Sequence, residues 1–307
     1  MLTVLSAIAP IFAAIGLGYA GRRWGPFGPA SHAELTRFVT KLALPVLLFR
    51  IMAEAHPAEI WQPGFIVASG AGSLVIFAAA ILIRRRTVPT ADAIVDGLAA
   101  GYSNTAFIGI PLCLSLLGAT GVLAASIASI LTVCLLFAFS ILLIEAALQP
   151  EASLPTLVGR ALLAAARNPL VYAPAAGALF SIGGVELPVP VARFAELLGA
   201  AASPCALVAL GLFVGEPRPK VPGQAVGLLA GFKLLVQPAI TWLIAYVLWP
   251  LPPVWAKAAV LLAALPTGTG PFMLAELYGR EANLTARTIL ITTTLSIVTI
   301  TVLMAIL

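Results

Sequence analysis

GYSNTAFIGIPLCLSLLG, residues 101–118, occupies the place of a membrane-spanning helix, yet Asn104, Gly109 and Pro111 follow one another through it. Proline donates no N–H and its ring crowds the preceding turn, so the carbonyls around Phe107 are expected to lose their donors. Within a bilayer such a loss is tolerated only where the freed groups face protein or a water-filled cavity. The stretch therefore reads as a broken helix with a binding site built around it.

Outward from this stretch, composition sets the surroundings. With 61% hydrophobic and 9% charged residues over 307 positions and a mean hydropathy of +1.07, there is too little polar surface to cover a soluble globule. A spanning helix needs about 20 apolar residues. The candidates are Val4–Ala20, Phe38–Ile51, Phe65–Ile83, the broken Ile94–Leu117, and Leu123–Ala146; then, after a polar join, Leu170–Ile182, Val191–Val214, Ala225–Leu248, Ala258–Leu277 and Leu284–Leu307. The reading is an all-α, multi-pass membrane protein of ten spans.

Arg22 and Arg23 follow the first apolar run and no cation precedes it, which marks a retained helix and not a cleaved leader. Arg22, Arg23, Arg37, Lys41, Arg84, Arg85, Arg86, Arg160, Arg167, Arg218, Lys220, Arg280 and Arg287 fall in loops on one side; Arg50, Arg193 and Lys257 fall on the other. That asymmetry puts the first group in the cytoplasm and both termini outside. It also accounts for the net charge of +5 without a nucleic-acid partner.

A repeat runs through the chain. Pro10 and Pro169, Pro45 and Pro204, and Gly72 and Gly231 are each 159 residues apart, and Pro111 and Pro271 are 160 apart. The offset divides the chain into five-span halves, 1–149 and 150–307. An odd number of spans per half puts the halves in opposite orientation, the inverted-repeat plan of many secondary transporters. The mate of the opening stretch is LAALPTGTGPFMLAELYG, residues 262–279, where Pro266 and Pro271 bracket Thr267, Gly268, Thr269 and Gly270. That run is a poor helix former. Interrupted spans in matching places point to a substrate site near the midplane. Half-helices starting near Pro111 and Pro271 would aim free N–H groups and partial positive charge at one space, which suits a carboxylate.

SNTAFIGIPL (103–112), LPTGTGPFMLAELYG (265–279) and the opening API (9–11) followed by GLGYAGRR (16–23) together resemble the auxin efflux carrier family over essentially the whole chain. Its bacterial members are described as malate, malonate or other organic-acid permeases, and its plant members export auxin. The resemblance implies ten helices in two inverted five-helix repeats. Spans 1, 2, 6 and 7 would form a scaffold; spans 3, 4, 5, 8, 9 and 10 would form a moving transport domain in which the fourth and ninth cross. It also implies a homodimer joined through the scaffold, for which the sequence carries no signature of its own. Bile-acid symporters and sodium/proton antiporters share the crossing, so fold alone does not name the substrate.

By that resemblance Asn104 matches the family's substrate-binding asparagine, and its amide could donate to a carboxylate. Ser103 and Thr105 flank it and could equally bond back to the helix. Thr267, Thr269, Gly270, Pro271 and Pro111 complete the candidate site at the two breaks. Lys233 lies nine residues into the eighth span, about 13 Å of helix rise from its start. A lysine at that depth is a functional candidate, against the alternative that it snorkels to the cytoplasmic surface. Gln237 is one turn further on the same face. Elsewhere Glu276 and Arg280 are spaced for a surface pair, Arg193 and Glu196 for a local one, and Asp92 and Asp96 suit a helix N-terminus.

No enzyme signature accompanies these features. His32 and His56 lie in loops, HExxH and GxSxG are absent, and no strand or Lys-Ser/Thr pair accompanies Gly268–Gly270 to make a phosphate loop. Cys113, Cys134 and Cys205 lack metal-ligand spacing and read as small packing residues, so no cofactor or metal is expected. The resulting expectation is a bacterial inner-membrane carrier of small organic anions. Sodium or proton coupling, a channel and a membrane sensor are left open.

Overall fold

In a computed structural model the chain is α-helical, and the structure describes residues 2–149, 154–217, 219 and 221–307. Arg218, Lys220 and the start of the second half of the repeat at 150–153 lie outside the described residues, as do the side chains of Cys134 and Arg160.

Helix α1 spans Leu2–Arg23; α2 (Ser31–Phe38) continues through a π turn at Val39–Ala43 into α3 (Leu44–Glu54), and α4 is the short Pro57–Ile60. Helices α5 (Pro63–Arg84) and α6 (Thr90–Gly101) follow. After a three-residue gap a π turn at Thr105–Gly109 leads into α7 (Ile110–Leu131), a second at Thr132–Phe137 leads into α8 (Ala138–Leu148), and α9 covers Leu154–Ala166. The remainder is α10 (Pro169–Ile182), α11 (Val189–Ala200), α12 (Ala202–Val214), and α13 (Gly223–Gly231) joined by a π turn at Phe232–Val236 to α14 (Gln237–Trp242). A further π turn (Leu243–Leu248), α15 (Pro253–Ala263), α16 (Gly270–Leu277) and α17 (Asn283–Ile306) complete it. Among the described residues, five helical stretches are long and apolar enough to cross a membrane: Pro57–Arg84, Thr105–Leu148, Val189–Val214, Gly223–Leu248 and Asn283–Ile306. Pro169–Ile182 and Pro253–Ala263 are shorter apolar helices.

The fourth span is interrupted at a different place from the one expected. Helix α6 stops at Gly101, residues 102–104 are non-helical, and helical structure resumes at Thr105, so Pro111 sits inside a helix. Three π turns end two residues before a proline: Val39–Ala43 before Pro45, Thr105–Gly109 before Pro111, and Phe232–Val236 before Pro238. A proline cannot donate to the carbonyl four residues back. Widening the turn before it re-registers those carbonyls, the adjustment that lets prolines persist in spanning helices. The second interruption, residues 264–269, falls where the sequence placed it.

Both resumed helices end on glycine. Gly118 (φ +65°, ψ −152°) breaks the path within α7 in a conformation essentially closed to other residues. Gly279 (φ +58°) follows α16, where Arg280 N–H donates to the Ala275 carbonyl and Gly279 N–H to that of Glu276, a Schellman ending.

The chain forms two compact units that interleave along the sequence. The first comprises Met1–Pro63, Thr105–Ile130 and Asn168–Pro217. Within it α1 packs on α12 and α10 on α3. A Cβ on Gly18 would collide with the carbonyl of Val208, and one on Gly177 with the carbonyl of Phe49, so only glycine permits either approach. Gly18 and Gly177 are 159 residues apart, and so are Phe49 and Val208. Arg50 pairs with Glu54 at 2.7 Å and lies 3.9 Å from Glu196, so Glu196 faces Arg50 and not the expected Arg193.

The second unit comprises Gly64–Asn104, Leu131–Arg167 and Arg218–Leu307. Its centre is α6, where every residue from Ala93 to Gly101 is buried, as an all-round small and apolar helix requires. Phe77, Leu98, Leu136, Ile144 and Leu274 pack on one side; Ile76, Ala99, Leu229 and Leu284 pack on another. Its polar residues are paired: Arg84 meets Asp96 at 2.7 Å, and Arg280 meets Asp92 through two hydrogen bonds of 2.7 Å. Arg280 therefore joins the start of α6, not Glu276 one turn earlier, because Asp92 offers a bidentate partner. That hydrogen bond and charge raise the guanidinium pKa above its ordinary value.

Candidate functional site

The two interruptions lie side by side in the second unit. Ser103 and Thr267 form an antiparallel bridge; Asn104 N–H donates to the Pro266 carbonyl at 2.9 Å, and Gly268 N–H donates to the Tyr102 carbonyl at 3.0 Å. Each break thus supplies the backbone partners that the other lacks, which satisfies non-helical chain in an apolar setting.

The carbonyl ends of the helices entering the breaks are closed by side chains. An α-helix leaves its last four carbonyls without intrahelical donors. For α6, the Thr267 hydroxyl donates to Ala99 O (2.8 Å) and the Gln237 amide to Gly101 O (3.3 Å). For α15, Lys233 Nζ donates to Ala263 O at 2.6 Å. Lys233 is 0% exposed, so it does not snorkel; its amine sits against the carbonyl end of α15. Lys233 and Gln237 therefore divide the work, one on each entering helix. The Gln237 amide also lies 3.0 Å from Ser73 Oγ and 3.4 Å from Ser103 Oγ, while its Oε1 is buried with no partner among the described residues.

Thr267 is held from both sides, its N–H donating to Thr292 Oγ1 at 3.1 Å and Thr292 Oγ1 donating on to Thr288 O at 2.7 Å. Thr269 precedes α16 without capping it by its side chain, and Gly270 and Pro271 open that helix. Asn104, Ser103, Thr267, Thr269, Gly270, Pro271, Lys233 and Gln237 are thus gathered in one unit. Thr105 and Pro111 belong to the other. There the Thr105 hydroxyl accepts from Ser129 Oγ at 3.0 Å, and the Pro111 carbonyl accepts from Ser115 Oγ at 3.0 Å.

Tyr102 and Thr292 were passed over in the sequence. A Cβ on Gly270 would meet Tyr102 Cζ at 2.6 Å and its hydroxyl oxygen at 2.8 Å, so the tyrosine ring covers the start of α16. An aromatic residue is ordinary in a spanning segment, and only its place next to Ser103 could have singled it out. Thr292 has a clearer signal: Thr288, Thr292 and Ser296 recur every fourth residue, a buried polar stripe on an otherwise apolar helix.

The family described as "Membrane transport protein" matches residues 3–304. The "Putative malonate transporter" of Rhizobium meliloti (strain 1021) is 30% identical over 309 residues, covering 98% of this chain and 95% of that protein. "Auxin efflux carrier component 8" of Arabidopsis thaliana is 24% identical over 340 residues, covering 90% of this chain and 89% of that one. An "Uncharacterized transporter" of Methanothermobacter thermautotrophicus is 26% identical, with 97% and 95% covered. A match across nearly its full length and a 30% identical relative aligned almost end to end place this chain in the auxin efflux carrier family of membrane transporters, and not among enzymes.

Proposed function

We propose that the chain carries small carboxylates, of the malate, malonate and indole-acetate kind, across a bacterial inner membrane by alternating access. The observation that carries this reading is the pairing of two interrupted spans through Ser103 and Thr267, which sets the Asn104 side chain and the start of α16 in one compact unit. A helix N-terminus offers N–H donors and positive potential to an anion; the Asn104 amide adds a directional donor. The names of the Rhizobium and Arabidopsis relatives agree with a carboxylate cargo.

In this reading ten spans form two inverted repeats with the fourth and ninth crossing at the interruptions, and both termini lie outside the cytoplasm. The matched approaches of Gly18 to Val208 and Gly177 to Phe49 support the repeat. Spans 3, 4, 5, 8, 9 and 10, among them the segments that hold both interruptions, move as the transport domain; spans 1, 2, 6 and 7 form the scaffold, through which two copies associate. Lys233 and Gln237 serve by keeping the entering helices in place.

The test is uptake of labelled malate, malonate and indole-3-acetate into proteoliposomes, with and without imposed proton and sodium gradients, for wild type and Asn104→Ala. Saturable uptake of one anion that the variant loses is the expected result. Failure of every anion with folded protein would remove the substrate class.

A further inference from the structure

We propose that a groove between α13 and α17, outside the paired interruptions, holds one phospholipid with an anionic headgroup. Gly223, Gly227 and Gly231 recur every four residues along α13 and line a cavity of about 510 Å³. A Cβ on any of the three would meet nothing within 4 Å. Close packing inside the protein therefore does not explain three residues of poor helix propensity on one face. On the opposite wall Arg287, Ile291 and Leu295 follow at the same spacing along α17.

The lining selects the occupant. The helical path from Gly223 to Leu235 rises about 18 Å, and the groove along it is apolar apart from Arg287 and Thr299. A long apolar trough with one cation on its wall suits an amphiphile with an extended acyl chain.

The headgroup preference comes from one end. In the proposed ten-span reading, on which this step rests, one span separates the α13–α14 span from α17, so α13 and α17 both start from the same side of the membrane; Gly223 and Arg287, near those starts, both line the groove. Arg287 is exposed, with no carboxylate within ion-pair distance among the described residues. Helix α13 starts there without a side-chain cap. A guanidinium and an uncapped helix N-terminus both favour a phosphate bearing net negative charge. A membrane supplies that phosphate already joined to the chain that fills the groove.

Native mass spectrometry of the whole protein in detergent, titrated with palmitoyl-oleoyl phosphatidylglycerol or the matching phosphatidylcholine, tests the assignment. Wild type should hold one phosphatidylglycerol about fivefold more tightly than phosphatidylcholine, the factor expected for one interfacial arginine. Arg287→Gln should bring the two lipids to equal affinity. Gly227→Leu, and independently Gly231→Leu, should lose both lipids with no fall in melting temperature, because each added side chain enters open space. Retention of lipid by both leucine variants would overturn the proposal. So would displacement of phosphatidylglycerol by inorganic phosphate alone, or a disulfide between two copies through Gly227→Cys, which would assign the groove to a free anion or to a second copy.

Discussion

Asn104 and Lys233 carry the sharpest consequences at the level of single side chains. If the Asn104 amide is a buried partner of the carboxylate, Asn104→Ala weakens binding by about 1–3 kcal/mol, or about 5- to 150-fold in Kd. Calorimetry on the purified protein measures it, and unchanged affinity in a folded variant removes the role. Lys233 faces the Ala263 carbonyl, 0% exposed. Stripping a buried carbonyl of its donor costs about 1–3 kcal/mol. Lys233→Met should therefore lower uptake by about fivefold or more while the protein still inserts. Wild-type uptake would show that the α15 end holds without that donor. The importance of Lys233 was legible in the sequence because its depth in an apolar span is a matter of counting. Its partner was not, because Ala263 is an apolar residue offering only a backbone oxygen, 30 residues away.

Among elements, the interrupted helices show what local sequence can and cannot place. Thr267, Gly268, Thr269 and Gly270 lie between two prolines, so propensity alone located the second break. The first break was displaced from Pro111 to residues 102–104 because a proline's cost depends on whether its helix can widen, and the turn at Thr105–Gly109 does so. Pro111→Ala should accordingly leave the interruption intact. Its gain in melting stability should stay below the ~3 kcal/mol that an unrelieved interior proline costs. A cysteine introduced at Ser103 would report, through unchanged reactivity, that the break remains. The contact of Tyr102 with α16 makes the opposite forecast for Gly270→Ala: overpacking there should cost about 1–3 kcal/mol, and the cost should shrink when Tyr102→Leu is combined with it, as a thermal double-mutant cycle would show.

For the whole molecule, membrane residence and helical class follow from composition, whereas the compact units do not follow from the order of the spans. One division, Asn104/Thr105, falls where the first interruption ends; another, Ile130/Leu131, falls in the middle of an apolar run that no charge or loop marks. Pairings such as Asp92 with Arg280 span 188 residues, beyond the reach of any local spacing rule. The carrier reading makes a prediction that belongs to this scale. Liposomes preloaded with unlabelled substrate should take up labelled substrate faster than empty ones, because a reorienting site returns more readily when loaded. Entry that preloading does not accelerate would favour a pore.

One stretch of helix, through Lys233 and Gln237 a single turn apart, holds the carbonyl ends of both α15 and α6. Its inheritance is constrained accordingly. A descendant that loses the amine or the amide must recruit a new donor for that terminus in the same step or soon after. Changes at these two positions should therefore appear among related sequences as coordinated replacements with residues near Ala263 or Gly101, and seldom as isolated drift.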